Sequence, residues 1–376
     1  MQITDSVIDK LKHADVGDDN LVGIDSRLEE LHSLIGIGFD DVRMLGVYGF
    51  GGIGKTTIGQ VIFNSIAYQF DGVSFLSIVR EQPILQLQEI LLFAITGVKD
   101  KNLNNVDEGI NEIKKRLRQK KVLIIVDDVD HSSHLKYLVP DRDCLGNGSR
   151  IIMTTRDTHL LCEYGVDAIY EVQELGFEES MLLFSLCAFK RRFPEEGYVE
   201  LSRDIVDYAN GHPLTLKVLG HSLYGKTISE WEKALDQLKC QPMPKIQSLL
   251  QISYDRLDHT TKNIFLDIAC FFNGEEREFV SRILDGAEHA ITTLCGKSLL
   301  TFSNNKMLMH PLLQQMGQVL VRQACLTEPG KWSRLWSSED VHHVLTKNKV
   351  RAKCLKLRIN AYNFIFILHI LHYTYL

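Results

Sequence analysis

The sequence predicts a mainly parallel α/β domain, then a helical domain, then a winged helix. Three observations predict this order. Apolar runs of strand length alternate with helical stretches from Arg43 to Val172, the pattern of a parallel sheet covered on both faces. Beyond Glu174 the strand signal fades and helical periodicity takes over. Near the C-terminus, further helices precede two short strands flanking Ser303-Asn304-Asn305, a hairpin signature.

With 376 residues, the chain is long enough for two or three domains with real cores. The formal net charge of -6 gives no global basic field, so nucleic acid is not an implied partner. The basic run Lys114 to Lys121 reads as the solvated face of a helix. The eight cysteines include no C-x-x-C pair, and no secretory signal opens the chain. Cys187, Cys270 and Cys295 lie in apolar runs and read as buried thiols of a reducing compartment. A cytosolic protein is expected, with the nucleus as a second location.

Residues 1–20 are polar and acidic and read as the remnant of a linker. The ordered region begins at Leu21-Val22-Gly23-Ile24-Asp25, with a short helix over Ser26 to Leu34. Arg43 to Tyr68 then organises the chain: an apolar strand to Tyr48, a glycine loop, and a helix with Ile58, Val61, Ile62 and Ile66 on one face. Further strands are expected at Val73 to Ile78, Val122 to Val126, Arg150 to Thr154 and Ala168 to Val172. Helices Ile84 to Ile95 and Val106 to Gln119 lie between them.

Four helices are expected between Phe177 and Lys239, punctuated by Gly211, Pro213 and Gly225. Gln241-Pro242-Met243-Pro244 marks the next boundary. Beyond it come helices Ile246 to Tyr254, Thr260 to Phe272, Glu276 to Leu284 and Ala287 to Lys297. The hairpin strands Leu299 to Phe302 and Lys306 to Met309 follow. The expected domains are thus 21–173, 174–240 and 241–349. Residues 350–376 form an aberrant apolar tail, and its run Ala361 to Leu376 is shorter than the roughly 20 residues needed to span a bilayer.

The loop carries the chemistry. Gly49, Gly54, Lys55 and Thr56 fit G-x-x-x-x-G-K-[ST], the phosphate loop of P-loop NTPases. Gly49, Gly51, Gly52 and Gly54 free the backbone to take positive φ and bring N–H groups to phosphate oxygens. The following helix N-terminus favours an anion, Lys55 adds a cation, and the Thr56 hydroxyl suits Mg²⁺. Ile53 and Thr57 complete the set of loop residues expected to line a bound nucleotide.

Lys121 to Asp130 reads as a buried strand ending in carboxylates. Asp127 is expected to hold Mg²⁺ through water. Asp128 stands where an energetic ATPase carries a Glu that polarises the attacking water. Being one methylene shorter, it predicts slow hydrolysis at most. Arg156, at the end of Gly148 to Asp157, faces the ligand crevice and could sense a γ-phosphate through bidentate bonds. Gly211-His212-Pro213-Leu214 by itself is a helix stop and restart, with Pro213 at a first helical position. Met309-His310-Pro311 by itself is weaker still.

In this order the motifs resemble the NB-ARC nucleotide switch of plant intracellular immune receptors, most closely those with an N-terminal Toll/interleukin-receptor domain. The matching stretches begin with LVGIDSR from Leu21, GFGGIGKTT from Gly49, FLSIVRE from Phe75 and KKVLIIVDDVD from Lys120 onward. They continue with GSRIIMTTRD, GHPLTLKVLG, FLDIACFF and MLMHPLLQQMG. Asp130 stands where other subfamilies carry a Trp, which supports the Toll-type assignment. SRLWSSEDVHHVL from Ser333 to Leu345 looks like the family's segment just beyond the switch.

The resemblance implies that ADP locks a closed state and that ATP opens it and permits oligomerisation. It places Val22 by the adenine, Pro213 over the nucleotide and His310 at the β-phosphate of ADP. Partners would be other immune receptors or proteins that sense pathogen effectors. The family's signalling domain, with any NAD-cleaving activity, and its leucine-rich repeats are not seen in the sequence, so a truncated receptor is expected. Pro311 replaces the Asp of Met-His-Asp, which predicts a weaker ADP latch. An ATPase whose purpose is turnover, and a decoy that pairs with full-length receptors and binds nucleotide only structurally, are the alternatives.

Overall fold

The computed structural model describes residues 22–97, 103–240, 243–323, 328–346, 354–361 and 364–371. The expected linker at 1–20 lies outside them. Contacts divide the chain into two compact units, Met1–Trp231 and Glu232–Leu376.

The first unit is built on five strands, β1 (Arg43–Tyr48), β2 (Gly72–Leu76), β3 (Val122–Val129), β4 (Arg150–Thr155) and β5 (Ala168–Glu171). All pair in parallel, in the order β2-β3-β4-β1-β5. Val122 to Val126 are all fully buried. Successive strand residues point to opposite faces, so both faces of the sheet are covered. This is the predicted mainly parallel fold.

Helix α1 (Ile24–Ile35) precedes β1, and α2 (Lys55–Ile66) follows the glycine loop, burying Ile58, Val61, Ile62 and Ile66. Helix α3 (Ile84–Thr96) lies between β2 and β3, followed by α4 (Val106–Leu117), which starts on an Asn105 cap that accepts the Glu108 N–H. Two short helices without a strong periodic signal, α5 (Ser132–Leu138) and α6 (Thr158–Tyr164), complete the crossovers.

Strand β2 ends earlier than its apolar run suggests. Ile78 takes φ 48°, a strained conformation for a β-branched residue, and the chain turns into a 3-10 segment, Val79–Glu81. Arg150 at the head of β4 is buried, its guanidinium bound by the carbonyls of Gly36, Phe39 and Asp41 and by the Asp41 carboxylate. The segment between α1 and β1 is thereby tied to the sheet.

Helices α7 (Phe177–Phe189), α8 (Val199–Ala209) and α9 (Pro213–Leu223) follow, and α10 (Ile228–Cys240) contains the boundary between the units. Trp231, fully buried, packs among Phe184, Phe189 and Tyr198 with ring centroids 5.0–5.6 Å apart. This is a dense aromatic core for short helices.

The second unit opens with α11 (Pro244–Asp255) and α12 (His259–Asp267), then α13 (Arg277–Ile283) and α14 (Ala287–Gly296). The hairpin β6 (Thr301–Ser303) and β7 (Lys306–Leu308) precedes α15 (Pro311–Arg322). Its turn residues Asn304 and Asn305 both take positive φ, as a two-residue hairpin requires.

The helix expected over Thr260 to Phe272 is not uniform: Ile268–Phe272 is a π-helical turn. The reason is packing from a distant segment. A Cβ on Gly317 of α15 would lie 2.7 Å from the Ala269 Cβ, so only glycine lets the two backbones approach. The Ala269 carbonyl accepts from the amides of Gln314 (3.1 Å) and Gln318 (3.4 Å). Side chains thus satisfy an acceptor at the widened turn.

After β8 (Arg334–Leu335) and α16 (Ser338–Thr346), the apolar end forms two antiparallel strands, β9 (Cys354–Ala361) and β10 (Phe364–Leu371). Strand β9 also pairs in parallel with β8. Among the described residues, no helix is long and apolar enough to cross a membrane.

Candidate nucleotide-binding site

The loop between β1 and α2 shows why each glycine stands where it does. Gly49, Gly52 and Gly54 take φ of 153°, 84° and 108°, the region in which a side chain is strained. Gly51 differs from the expectation: it is not among the positive-φ glycines. Its constraint is space, because a Cβ there would fall 2.7 Å from Arg156 Nη1. Ile53 is buried with its Cγ2 against Gly49, pinning the loop to the core.

Lys55 is buried at the first turn of α2, and its Nζ donates to the carbonyls of Gly49 (2.7 Å) and Phe50 (3.0 Å). Burial, reinforced by the Arg156 guanidinium, brings its ammonium down to about 7 against the pull of Asp128 and Asp127. The next residue, Thr56, donates its hydroxyl to Asp127 at 2.9 Å. Thus the loop after β1 meets the end of β3, although β4 lies between those strands.

Strand β4 supplies the bridge. Two residues of β3, Asp127 and Asp128, stand opposite the single Thr154, because the register slips between Val126 and Val129. The fully buried Thr154 hydroxyl donates to Asp127 Oδ1 (2.6 Å) and accepts the Asp128 N–H (2.8 Å). Asp128 itself takes φ 61°. Bulges are frequent beside functional sites, and this one falls at the two carboxylates.

At the other end of the loop is a small cleft. Val22, Gly23, Ile53, Thr57, Val172 and Pro213 are among its lining residues. Segments far apart in sequence, from the start of α1 to the start of α9, therefore face one space.

A family model described as the NB-ARC domain matches residues 28–193, and a Roq1-like disease resistance protein winged-helix model matches residues 258–325. The chain carries an NB-ARC domain. The NB-ARC chain is 48% identical over 359 residues to Disease resistance protein RUN1 of Vitis rotundifolia, covering 93% of this chain and 27% of that protein. It is 42% identical over 362 residues to TMV resistance protein N of Nicotiana glutinosa, covering 92% of this chain and 31% of that protein. The chain thus spans less than a third of the length of either. Its fold is similar to that of a Walker-type ATPase of Pyrococcus abyssi, with a TM-score of 0.54 at 12% identity, covering 81% of this chain and 98% of the other.

Two residues of the NB-ARC chain's site are not evident from its sequence alone. Arg80, in the 3-10 turn after β2, places Nε 2.8 Å from Asp128 Oδ2. Arg156 Nε lies 3.7 Å from Asp128 Oδ1. The second is His212, more than the middle of a helix restart. It is fully buried, stacks on Phe50 at 5.1 Å between centroids, and places Nε2 2.8 Å from the Gly51 carbonyl.

Because a carbonyl only accepts, His212 Nε2 carries the proton, and Nδ1 accepts from the Thr215 N–H. The Leu214 N–H reaches the Gly52 carbonyl, so the start of α9 holds the loop at two successive carbonyls. Pro213 stands at the first position of that helix. His310 belongs to the second unit, where it caps α15 and its Nδ1 accepts the Leu312 N–H. Pro311 follows at the first helical position.

Proposed function

We propose that this chain is the nucleotide switch of a plant disease-resistance receptor, closed with ADP and open with ATP. The observation that carries the reading is the junction of Thr56 and Asp127 at the base of the glycine loop, beside the cleft that Val22 and Pro213 help to line. Gly49, Gly51, Gly52, Ile53, Gly54, Lys55, Thr56 and Thr57 would surround the phosphates, and Arg156 would meet the γ-phosphate. By the family's motif order, Met309-His310-Pro311 is assigned the ADP-sensing role. The segments 21–173, 174–240 and 241–349 would be the switch's nucleotide-binding, helical and winged-helix parts.

Oxygen donors on Thr56 and Asp127 suit Mg²⁺, a hard cation that keeps water and phosphate oxygens as its other ligands. Among the described residues, no cluster of three or more His, Cys, Asp or Glu side chains could hold a metal, so this ion would depend on the nucleotide. When bound it would neutralise charge on the phosphates. Turnover would be slow, with Asp128 engaged by Arg80. Assembly with other receptors in the ATP state would be the output.

The test is to purify the chain, release its nucleotide by denaturation and identify it chromatographically. ADP is expected in the wild type, and Lys55→Ala should arrive without it. Stoichiometric ADP on the Lys55 variant would remove the phosphate-loop assignment.

A further inference from the structure

Three cationic side chains gather at the phosphate loop: Lys55, Arg156 against Gly51, and Arg80 from the turn after β2. Two carboxylates stand beside them. Asp127 is committed to the hydroxyls of Thr56 and Thr154. Asp128 faces both guanidiniums, with Arg80 Nε at 2.8 Å from one oxygen and Arg156 Nε at 3.7 Å from the other. All three side chains of this triad are largely buried, at 11%, 14% and 15% exposure for Arg80, Arg156 and Asp128.

The backbone is shaped to hold this arrangement. The register of β3 slips at Asp127 and Asp128, and Asp128 takes positive φ. Positive φ at Ile78 precedes the turn that carries Arg80. Two strained residues therefore serve one ion-paired cluster, and such strain persists where the surrounding structure over-determines it.

We propose that Asp128 is a counter-ion that parks two guanidiniums, and that Arg80 joins Arg156 as a ligand of the terminal phosphate of a nucleoside triphosphate. Asp128 is then a positioning residue. Its oxygens are occupied by Arg80 and faced by Arg156, the arrangement of a competitor for the guanidiniums and not of a base awaiting water. A γ-phosphate offers oxygens in a geometry that suits a guanidinium fork, and it draws both arginines from the carboxylate. ADP lacks that group, so the triad stays intact in its presence. The inference rests on the nucleotide-switch reading and adds the residues that tell ATP from ADP.

The experiment measures dissociation constants of the full chain for ADP and for a non-hydrolysable ATP analogue, both with Mg²⁺, and compares their ratio among variants. Arg80→Gln should weaken the analogue relative to ADP by roughly 10- to 150-fold, the range for a lost hydrogen bond to a charged group. Asp128→Asn, nearly isosteric, should strengthen the analogue relative to ADP by releasing both guanidiniums. Arg80→Lys keeps the charge without the fork and should show a smaller shift of the Arg80→Gln sign; it carries the test should Arg80→Gln not fold.

A ratio within about twofold of wild type for Asp128→Asn, or for the folded Arg80 variants, overturns the proposal. So does loss of hydrolysis in Asp128→Asn with no change in the ratio, which would make the carboxylate a base. Wild-type protein that binds neither nucleotide would instead remove the switch reading itself.

Discussion

Thr154→Val tests whether the junction between β1, β3 and β4 depends on one hydroxyl. The substitution keeps the shape of a fully buried side chain and removes its two hydrogen bonds. One is the donation to Asp127 at 2.6 Å, a bond to a charged group worth about 1.5–3 kcal/mol. The other is the acceptance of the Asp128 N–H at 2.8 Å, whose loss leaves a donor unsatisfied at a cost of about 1–3 kcal/mol. Asp127 keeps its bond to Thr56, and the added methyl gains some apolar contact. The net loss should therefore fall at about 2–4 kcal/mol, a large share of the roughly 5–15 kcal/mol that holds a domain folded. Urea unfolding of the nucleotide-free chain by far-UV circular dichroism measures it, with Thr154→Ser, which retains the hydroxyl, as control. A Val variant within about 0.5 kcal/mol of wild type, or a Ser variant as weak as Val, would refute the reasoning.

Three further outcomes are expected. Gly52→Ala should lower the thermal midpoint, because its Cβ would meet the His212 ring at 2.7 Å and its φ is 84°; the cost should be about 1–3 kcal/mol, and an unchanged midpoint would mean the loop does not rest on His212. Gln314→Leu should destabilise the second unit by about 1 kcal/mol, since Gln314 satisfies the Ala269 carbonyl and bonds Asn273; differential scanning calorimetry would show it. Pro311→Asp should slow ADP release by roughly 10- to 150-fold if a carboxylate there restores a latch, and equal off-rates in a stopped-flow chase would dispose of that argument.

What was legible in the sequence was local. The glycine loop declares itself by spacing over a few residues, the strands by apolar runs, and the hairpin by two asparagines between them. What was not legible depends on segments far apart in the chain. Arg80 follows a run that looks like strand through Ile78, and its meeting with Asp128 appears only once β2 and β3 are paired. His212 lies in a helix restart, and nothing near it in sequence announces the carbonyl of Gly51. The widened turn at Ile268–Phe272 answers to Gly317 and Gln314 on another helix, so helical periodicity alone runs straight through it. The Asp127–Asp128 pair shows the limit most clearly: adjacent residues of one type take different partners, Asp127 the hydroxyls of Thr56 and Thr154 and Asp128 the guanidinium of Arg80.

The cleft beside the loop has a thermodynamic consequence. Its walls are contributed by the start of α1, the first turn of α2, the segment after β5 and the start of α9. A ligand seated there acts as a cross-link between distant stretches of chain, and unfolding any one of them releases it. Such a ligand raises the stability of the whole cooperative unit by RT ln(1 + [L]/Kd), about 2.7 kcal/mol at one hundred times Kd. Nucleotide concentration would then set how often Val22 or Pro213 opens to solvent, and limited proteolysis or amide exchange at those two segments should report occupancy together.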